Sequence, residues 1–307
     1  MDRTSVNWEG YFLAMVTPFT ADGALDEQGF RDVIDIAIEN EVDGIVPVGC
    51  TGEWWALSDA ERVRLYQITA EHTAGRVPTI VGTAAFSTRK AIEMTQAAKD
   101  AGCDAAMLTA PPYALPLERE IVTFFQRISD AVDFPIVLYN NPNRVRRALT
   151  PEIVDKLADI ENVVAIKDSS GDIDMQLKTL EVCKDRIRYF QGGTKNAHRL
   201  VPAGSLGFVD SAIAHVSGNQ GSRFYRELRA GNIDAALELV PPEWAVELHD
   251  LFWGEAGMFP ASLKEAMTLV GRPGGPPRDP LLPITDQERE VLKKRLADLG
   301  IAVTAVA

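Results

Sequence analysis

The chain has 307 residues, 46% of them hydrophobic and 24% charged, values that exclude a disordered, collagenous or fibrous protein. Its 31 Lys and Arg stand against 44 Asp and Glu, a net charge of −13, and no basic run exceeds Lys293-Lys294-Arg295. Neither a nucleic acid nor an anionic membrane is therefore an expected partner. The length suits two ordinary domains or one barrel-type domain with an extension.

Residues 1–8 show no apolar segment behind a basic start, and apolar runs fall far short of the roughly 20 residues that span a bilayer. A cytoplasmic protein is expected. Short apolar, β-branched runs then recur at 12–17, 44–49, 79–83, 105–110, 135–140, 163–168, 188–192 and 207–211. Successive starts lie roughly 20 to 35 residues apart, the spacing of parallel strands joined by crossover helices. Pro47 is a misfit inside the second strand because it has no N–H for the ladder, and a bulge is expected there.

Helical segments fill the intervals. Phe30, Val33, Ile34, Ala37 and Ile38 form one apolar face. Ser58 with Glu61 and Thr285 with Glu288 read as capping boxes, and Thr150-Pro151-Glu152 as a cap, an N1 proline and a first-turn acid. Eight such units in about 230 residues predict a (β/α)8 TIM barrel. A doubly wound sheet is the alternative, but no G-x-G-x-x-G follows the first strand.

After Ser211 only helices are expected, at 221–230, 233–251 with a break at Pro241-Pro242, 261–269 and 286–299, with a stiff link at 271–283. The barrel is placed at 1–230 and a C-terminal helical extension of the same domain at 231–307. No motif in the extension suggests chemistry. Three cysteines without C-x-x-C give no disulfide framework, and four histidines lack ligand spacing, so no metal site is expected.

Chemistry in such barrels sits at the C-terminal strand ends: Thr17, the 49–53 turn, Thr83, Tyr113, Tyr139 to Arg144, Lys167-Asp168, Gly192-Gly193-Thr194 and Asp210-Ser211. Lys167, pointing inward, would be desolvated into a neutral Schiff-base nucleophile, or else would pair with Asp168. Tyr139 is a proton shuttle or an aromatic plug. Arg144 is a bidentate carboxylate ligand or a solvated loop residue. Amides in Gly49-Cys50-Thr51-Gly52-Glu53 suit a small carboxylate, with Thr51 as a relay and Cys50 as a small packed residue that no neighbouring histidine activates. Gly192-Gly193-Thr194 is a weak phosphate signal, and Trp54-Trp55 suits a subunit interface or a substrate wall.

Together these residues resemble the dihydrodipicolinate synthase / N-acetylneuraminate lyase family, over nearly the whole chain from Val16-Thr17-Pro18-Phe19 to Pro280-Leu281. The most specific matches are Gly49-x-Thr51-Gly52-Glu53, Tyr139-Asn-x-Pro142 and Ile166-Lys167-Asp168. The resemblance implies a tetramer, a dimer of dimers, and a pyruvate imine on Lys167 with no metal or organic cofactor. It makes Tyr139 the phenol beside the imine, Thr51 a relay hydroxyl, and Tyr113 the tyrosine that a neighbouring subunit inserts. The amides of Cys50 and Thr51 would hold the 2-oxo-acid carboxylate, Val209 would line the pyruvate pocket, and Arg144 would take the carboxylate of a second, aldehyde substrate.

Two features depart from the family pattern. Cys50 replaces the first of two threonines, and a thiol is the weaker hydrogen-bonding group, which alters the relay to Tyr113. Trp54-Trp55 replaces small residues beside the lysine-regulatory region, so lysine inhibition is not expected. The implied function is a class I lyase or aldolase acting on pyruvate and a carboxylate-bearing aldehyde, 4-hydroxy-tetrahydrodipicolinate synthase-like. Alternatives are a dehydratase, deaminase or aldolase of keto-deoxy sugar acids or hydroxyproline-derived pyrrolines, and a barrel that binds a 2-oxo acid without turnover.

Overall fold

The computed structural model describes residues 6–304; positions 1–5, within the stretch read for a leader, and 305–307, the end of the extension, lie outside the described residues. Eight parallel strands form one sheet: β1 (Gly10–Ala14), β2 (Gly44–Val46), β3 (Ile80–Gly82), β4 (Ala105–Thr109), β5 (Ile136–Asn140), β6 (Val163–Asp168), β7 (Arg188–Gly192) and β8 (Gly207–Asp210). Their order is β2-β1-β8-β7-β6-β5-β4-β3. A parallel bridge between Ile45 and Thr79 joins the two ends, so the sheet is a nearly closed (β/α)8 barrel, as expected.

The closing seam explains Pro47. β2 stops at Val46, three residues before the expected end, so no ladder bond is asked of the proline nitrogen. Its carbonyl instead accepts from Gly82 N at 2.9 Å. Val48 then takes a left-handed φ of 57°, an outlier for a β-branched residue that swings the chain into the 49–53 turn.

Between and after the strands run α1 (Glu27–Glu39), α2 (Asp59–Thr73), α3 (Thr88–Asp100), α4 (Glu118–Ala131), α5 (Pro142–Val145), α6 (Pro151–Leu157), α7 (Ile173–Cys183), α8 (Ala197–Leu200), α9 (Ile213–Val216), α10 (Gln220–Ala230), α11 (Ile233–Leu239), α12 (Pro242–Phe252), α13 (Ala261–Leu269) and α14 (Asp286–Asp298). Both capping boxes form. The long helix expected at 233–251 is broken into α11 and α12 at Pro241-Pro242, because a proline inside a helix removes a backbone donor and clashes with the preceding turn. No helix among the described residues is long and apolar enough to cross a membrane.

Side chains alternate in and out of the barrel wall. Phe12, Val46, Ile80, Met107, Val137, Ala165 and Phe190 fill the interior, and Gly44 makes room for the Phe12 ring, which a Cβ there would meet at 2.0 Å. Val6 and Trp8 join this cluster, tied down by Arg188 Nε to Val6 O at 2.6 Å and Nη1 to Trp8 O at 3.0 Å. The next inward positions toward the C-terminal end, after Val137 and Ala165, are Tyr139 and Lys167.

Candidate active site

A cavity of about 490 Å³ opens at this end and brings together Cys50, Thr51, Tyr139, Arg144, Lys167 and Val209. Lys167 is 6% exposed, and its Nζ lies 4.6 Å from the centre of the Tyr139 ring. Among the described residues no acceptor or counter-ion bonds its amine. Burial lowers its pKa from 10.5 to about 8, against the opposing charges of Cys50 and Asp210.

Strand alternation settles the alternative of a Lys167–Asp168 pair. Asp168 points the other way and accepts from Ser170 N at 2.9 Å and Asn140 Nδ2 at 3.1 Å on Oδ1, and from the Tyr189 hydroxyl at 3.4 Å on Oδ2. Tyr139 is no sealed plug either: it lines the cavity, and its hydroxyl accepts from Asn141 Nδ2 at 2.8 Å. Burial raises the pKa of this phenol, with the Cys50 charge acting in the same direction, so it stays protonated and able to donate.

The 49–53 turn forms one wall. Gly52 N and Trp54 N both donate to Gly49 O, at 3.1 and 3.3 Å, and Glu53 N to Cys50 O at 3.3 Å. Thr17 Oγ1, three residues beyond the end of β1, donates to Gly52 O at 2.9 Å and pins the turn. Among the described residues the amides of Cys50 and Thr51 have no acceptor, and both residues line the cavity. Burial pushes the Cys50 thiol up, against the pull of the Lys167 and Arg144 charges. It is therefore a poor thiolate source.

Arg144 reaches the cavity from α5. Its guanidinium forms no ion pair or hydrogen bond among the described residues; it lies 4.7 Å from the centre of the Trp253 ring at the cavity mouth and stays exposed to solvent. Trp253 stacks on Phe259 at 4.5 Å and on His249 at 5.5 Å. These three residues, with Leu248 and Phe252, bring the extension into the cavity wall. The extension thus takes part in the site, although its sequence carries no signal of it.

Other expected residues lie elsewhere. Tyr113 is 93% exposed, with φ of 70°, and does not line the cavity of its own chain. Trp54 packs against Phe86 at 5.6 Å and neither indole lines the cavity, so the substrate-wall reading of the pair is dropped. Thr83 pairs with Thr95 at 3.1 Å on the helix side. Gly192, Gly193 and Thr194 do border the cavity. Asp210 borders it too, with Oδ2 accepting from Tyr11 OH, Ala212 N and Ile213 N at 3.1, 2.9 and 2.7 Å, which fixes the start of α9.

Of the cavity-lining residues, Asn141 falls within the expected Tyr139-to-Arg144 span, whereas Ser169 and Gln191 were missed. Ser169 follows Lys167-Asp168 directly, so position alone would have found it. The Gln191 amide is buried with neither its nitrogen nor its oxygen bonded to protein among the described residues. No group of three or more His, Cys, Asp or Glu among the described residues is placed to hold a metal ion.

Comparison with known proteins gives a match to the model of the Dihydrodipicolinate synthetase family over residues 7–299. A 4-hydroxy-tetrahydrodipicolinate synthase from Methanopyrus kandleri is 34% identical, covering 95% of this chain and 97% of its own. Among solved structures, the dihydrodipicolinate synthase of Acinetobacter baumannii complexed with pyruvate superposes with a TM-score of 0.89 at 32% identity, over 96% of this chain and all of its own. YagE, an Escherichia coli K12 prophage protein of the dihydrodipicolinic acid synthase family, also in complex with pyruvate, gives 0.91 at 26% identity, over 97% and 100%.

Proposed function

Because the chain belongs to the dihydrodipicolinate synthetase family, and is a lyase of that synthase-like class, we propose that it forms a Schiff base between Lys167 and pyruvate and joins it to a carboxylate-bearing aldehyde. The observation that carries this reading is Lys167 itself: a buried amine, lowered to about 8, without a partner among the described residues and open to the cavity beside a phenol. A Schiff-base nucleophile needs those properties together.

The steps follow from the wall. The neutral amine attacks the ketone carbon, and Tyr139 protonates the oxygen that leaves as water. The phenolate left on Tyr139 then takes a C3 proton from the iminium, and the freed electron pair forms the enamine as the C=N π pair returns to nitrogen. The enamine carbon adds to the aldehyde carbonyl, whose oxygen takes the proton back from Tyr139, and water adds to the regenerated iminium carbon to release the product from Lys167. The amides of Cys50 and Thr51 suit the pyruvate carboxylate, Val209 the floor beside it, and the unpaired Arg144 the carboxylate of the aldehyde. The lysine imine is the only electron sink the scheme needs, so it invokes no metal or organic cofactor.

A second copy of the chain completes the site in this reading. Tyr113, Leu115, Leu117 and Phe86 are exposed apolar residues on loops at the cavity end, a grouping that suits a subunit contact. We take the assembly to be a homotetramer in the cytoplasm, with a neighbour's Tyr113 entering the relay through Thr51.

Borohydride reduction with pyruvate tests the reading: a reduced pyruvyl adduct is expected at Lys167, and none on Lys167→Ala. An adduct that survives that substitution, or no adduct on the wild type, overturns it. Release of water or ammonia from a keto-deoxy acid or pyrroline, without carbon–carbon bond change, would move the chain to the dehydratase or deaminase alternative. Mixing Tyr113→Phe with Lys167→Ala protein, each inactive alone, should restore activity if tyrosines cross between subunits.

A further inference from the structure

The 49–53 turn ends in an unusual way. Glu53 is fully buried, in the left-handed region at φ 55°, a conformation a non-glycine residue keeps only where its surroundings over-determine it. Those surroundings come from the extension. Lys264 of α13 places Nζ 2.6 Å from Glu53 Oε1, both side chains being 0% exposed, and Arg278 N donates to Oε2 at 3.1 Å.

Lys264 is itself fixed. Its ammonium also donates to Pro276 O at 2.8 Å and lies 4.3 Å from the Phe19 ring centre. The 271–283 link lies flush against it, since a Cβ at Gly274 would stand 2.0 Å from Lys264 O. Arg278 then fastens the link to the barrel, with two bonds to Glu61 at 3.0 and 2.6 Å, one to Gly23 O at 2.8 Å and one to Ala56 O at 3.1 Å.

A buried ion pair is seldom more stable than apolar side chains of the same size, and its best-attested use is to fix one geometry. What this pair fixes is the far end of the turn whose Cys50 and Thr51 amides are left without acceptors. We infer that Lys264 is a positioning residue for the 2-oxo-acid carboxylate, acting through Glu53 to hold those two amides in place. The inference rests on the proposed binding of that carboxylate by the turn. It assigns the extension a part in recognising the first substrate, separate from the wall that α12 lends to the second.

The test compares two ketones. Borohydride trapping at Lys167 is measured against concentration for pyruvate and for acetone, which has a methyl group where pyruvate has its carboxylate. Lys264→Met and the double variant Glu53→Gln/Lys264→Met, which leaves no lone buried charge, should raise the half-saturating pyruvate concentration tenfold or more. Trapping of acetone per folded molecule should stay within twofold. Equal loss for both ketones, an unmoved pyruvate value, or failure of both variants to fold each overturns the positioning role. Wild-type protein that traps no pyruvate overturns the proposed function and this inference with it, whereas an unmoved pyruvate value in a variant that still traps overturns the inference alone.

Discussion

Lys167 and Lys264 are both buried, and burial pulls both amines below the ordinary lysine value, yet they occupy opposite kinds of site. Lys264 is enclosed by a carboxylate, a carbonyl and an aromatic face. Lys167 has one aromatic face and a cavity. A lowered pKa is therefore a mark of burial common to both, and access to open space without a partner is what separates a nucleophile from a clamp. Lys167 lines the cavity where the substrate's ketone is proposed to react, and Lys264 lies behind the turn proposed to hold its carboxylate.

The widest split between them is expected on removal. Lys167→Ala should lower kcat/KM by at least about 10⁴-fold, since the covalent route disappears with the amine, while stability is unchanged or slightly raised by the loss of a buried cation. Lys264→Met should instead cost about 3–5 kcal/mol of folding stability, because it strands the Glu53 carboxylate in the interior. Denaturant titration of both variants, beside steady-state kinetics, measures the two effects. Equal stability losses in the two variants would erase the distinction.

The same contrast shows what the sequence could and could not reveal. Lys167 was legible because it ends a run of four apolar residues on a barrel strand, where period-2 alternation dictates that Ala165 and Lys167 share a face. The eight strands were legible for the same reason, and errors fell at strand ends, as at 44–49, where Val48 turns left-handed after three residues of ladder. Lys264 was not legible, although it lies three residues from Ala261 and from Met267 on the buried side of α13, since an exposed lysine can take the same place. Its partner Glu53 is 211 positions away, and no local pattern joins them. Trp253 and Phe259 were hidden likewise: aromatic residues in a helical extension read as core, and only the tertiary fold brings Trp253, stacked on Phe259, against Arg144.

Acidity offers a subtler separation. At pH 7 an amine with pKa about 8 is neutral in roughly one molecule in ten, against about one in three thousand for an ordinary lysine. In the proposed scheme only neutral Lys167 attacks, so the second-order rate of imine formation should rise close to tenfold per pH unit below about 8 and level off above it, a gain of about tenfold from pH 7. The stability sign runs with it. Lys167 has a folded pKa below its unfolded one, so its buried charge weakens the fold most below about 8, and that penalty fades toward 10.5. Stopped-flow trapping across pH 6–10 checks the rate, and a midpoint near 10.5 would mean that burial does not activate Lys167.

The smallest effect distinguishes the extension's two contributions to the site. Trp253 stacks on Arg144 without charge of its own, and a cation–π contact of this partly exposed kind contributes about 0.5–1 kcal/mol. Trp253→Ala should therefore raise KM for the carboxylate-bearing aldehyde by roughly two- to fivefold, through a guanidinium freed to leave its plane. The half-saturating concentration of pyruvate should stay where it is, because the pyruvate carboxylate is proposed to bind the 49–53 turn, which Trp253 does not touch. Lys264→Met predicts the reverse pattern, with pyruvate weakened and the aldehyde unmoved. If Trp253→Ala shifts both substrates alike, the extension acts on the cavity as one block, and the division into a turn clamp and an arginine plate fails.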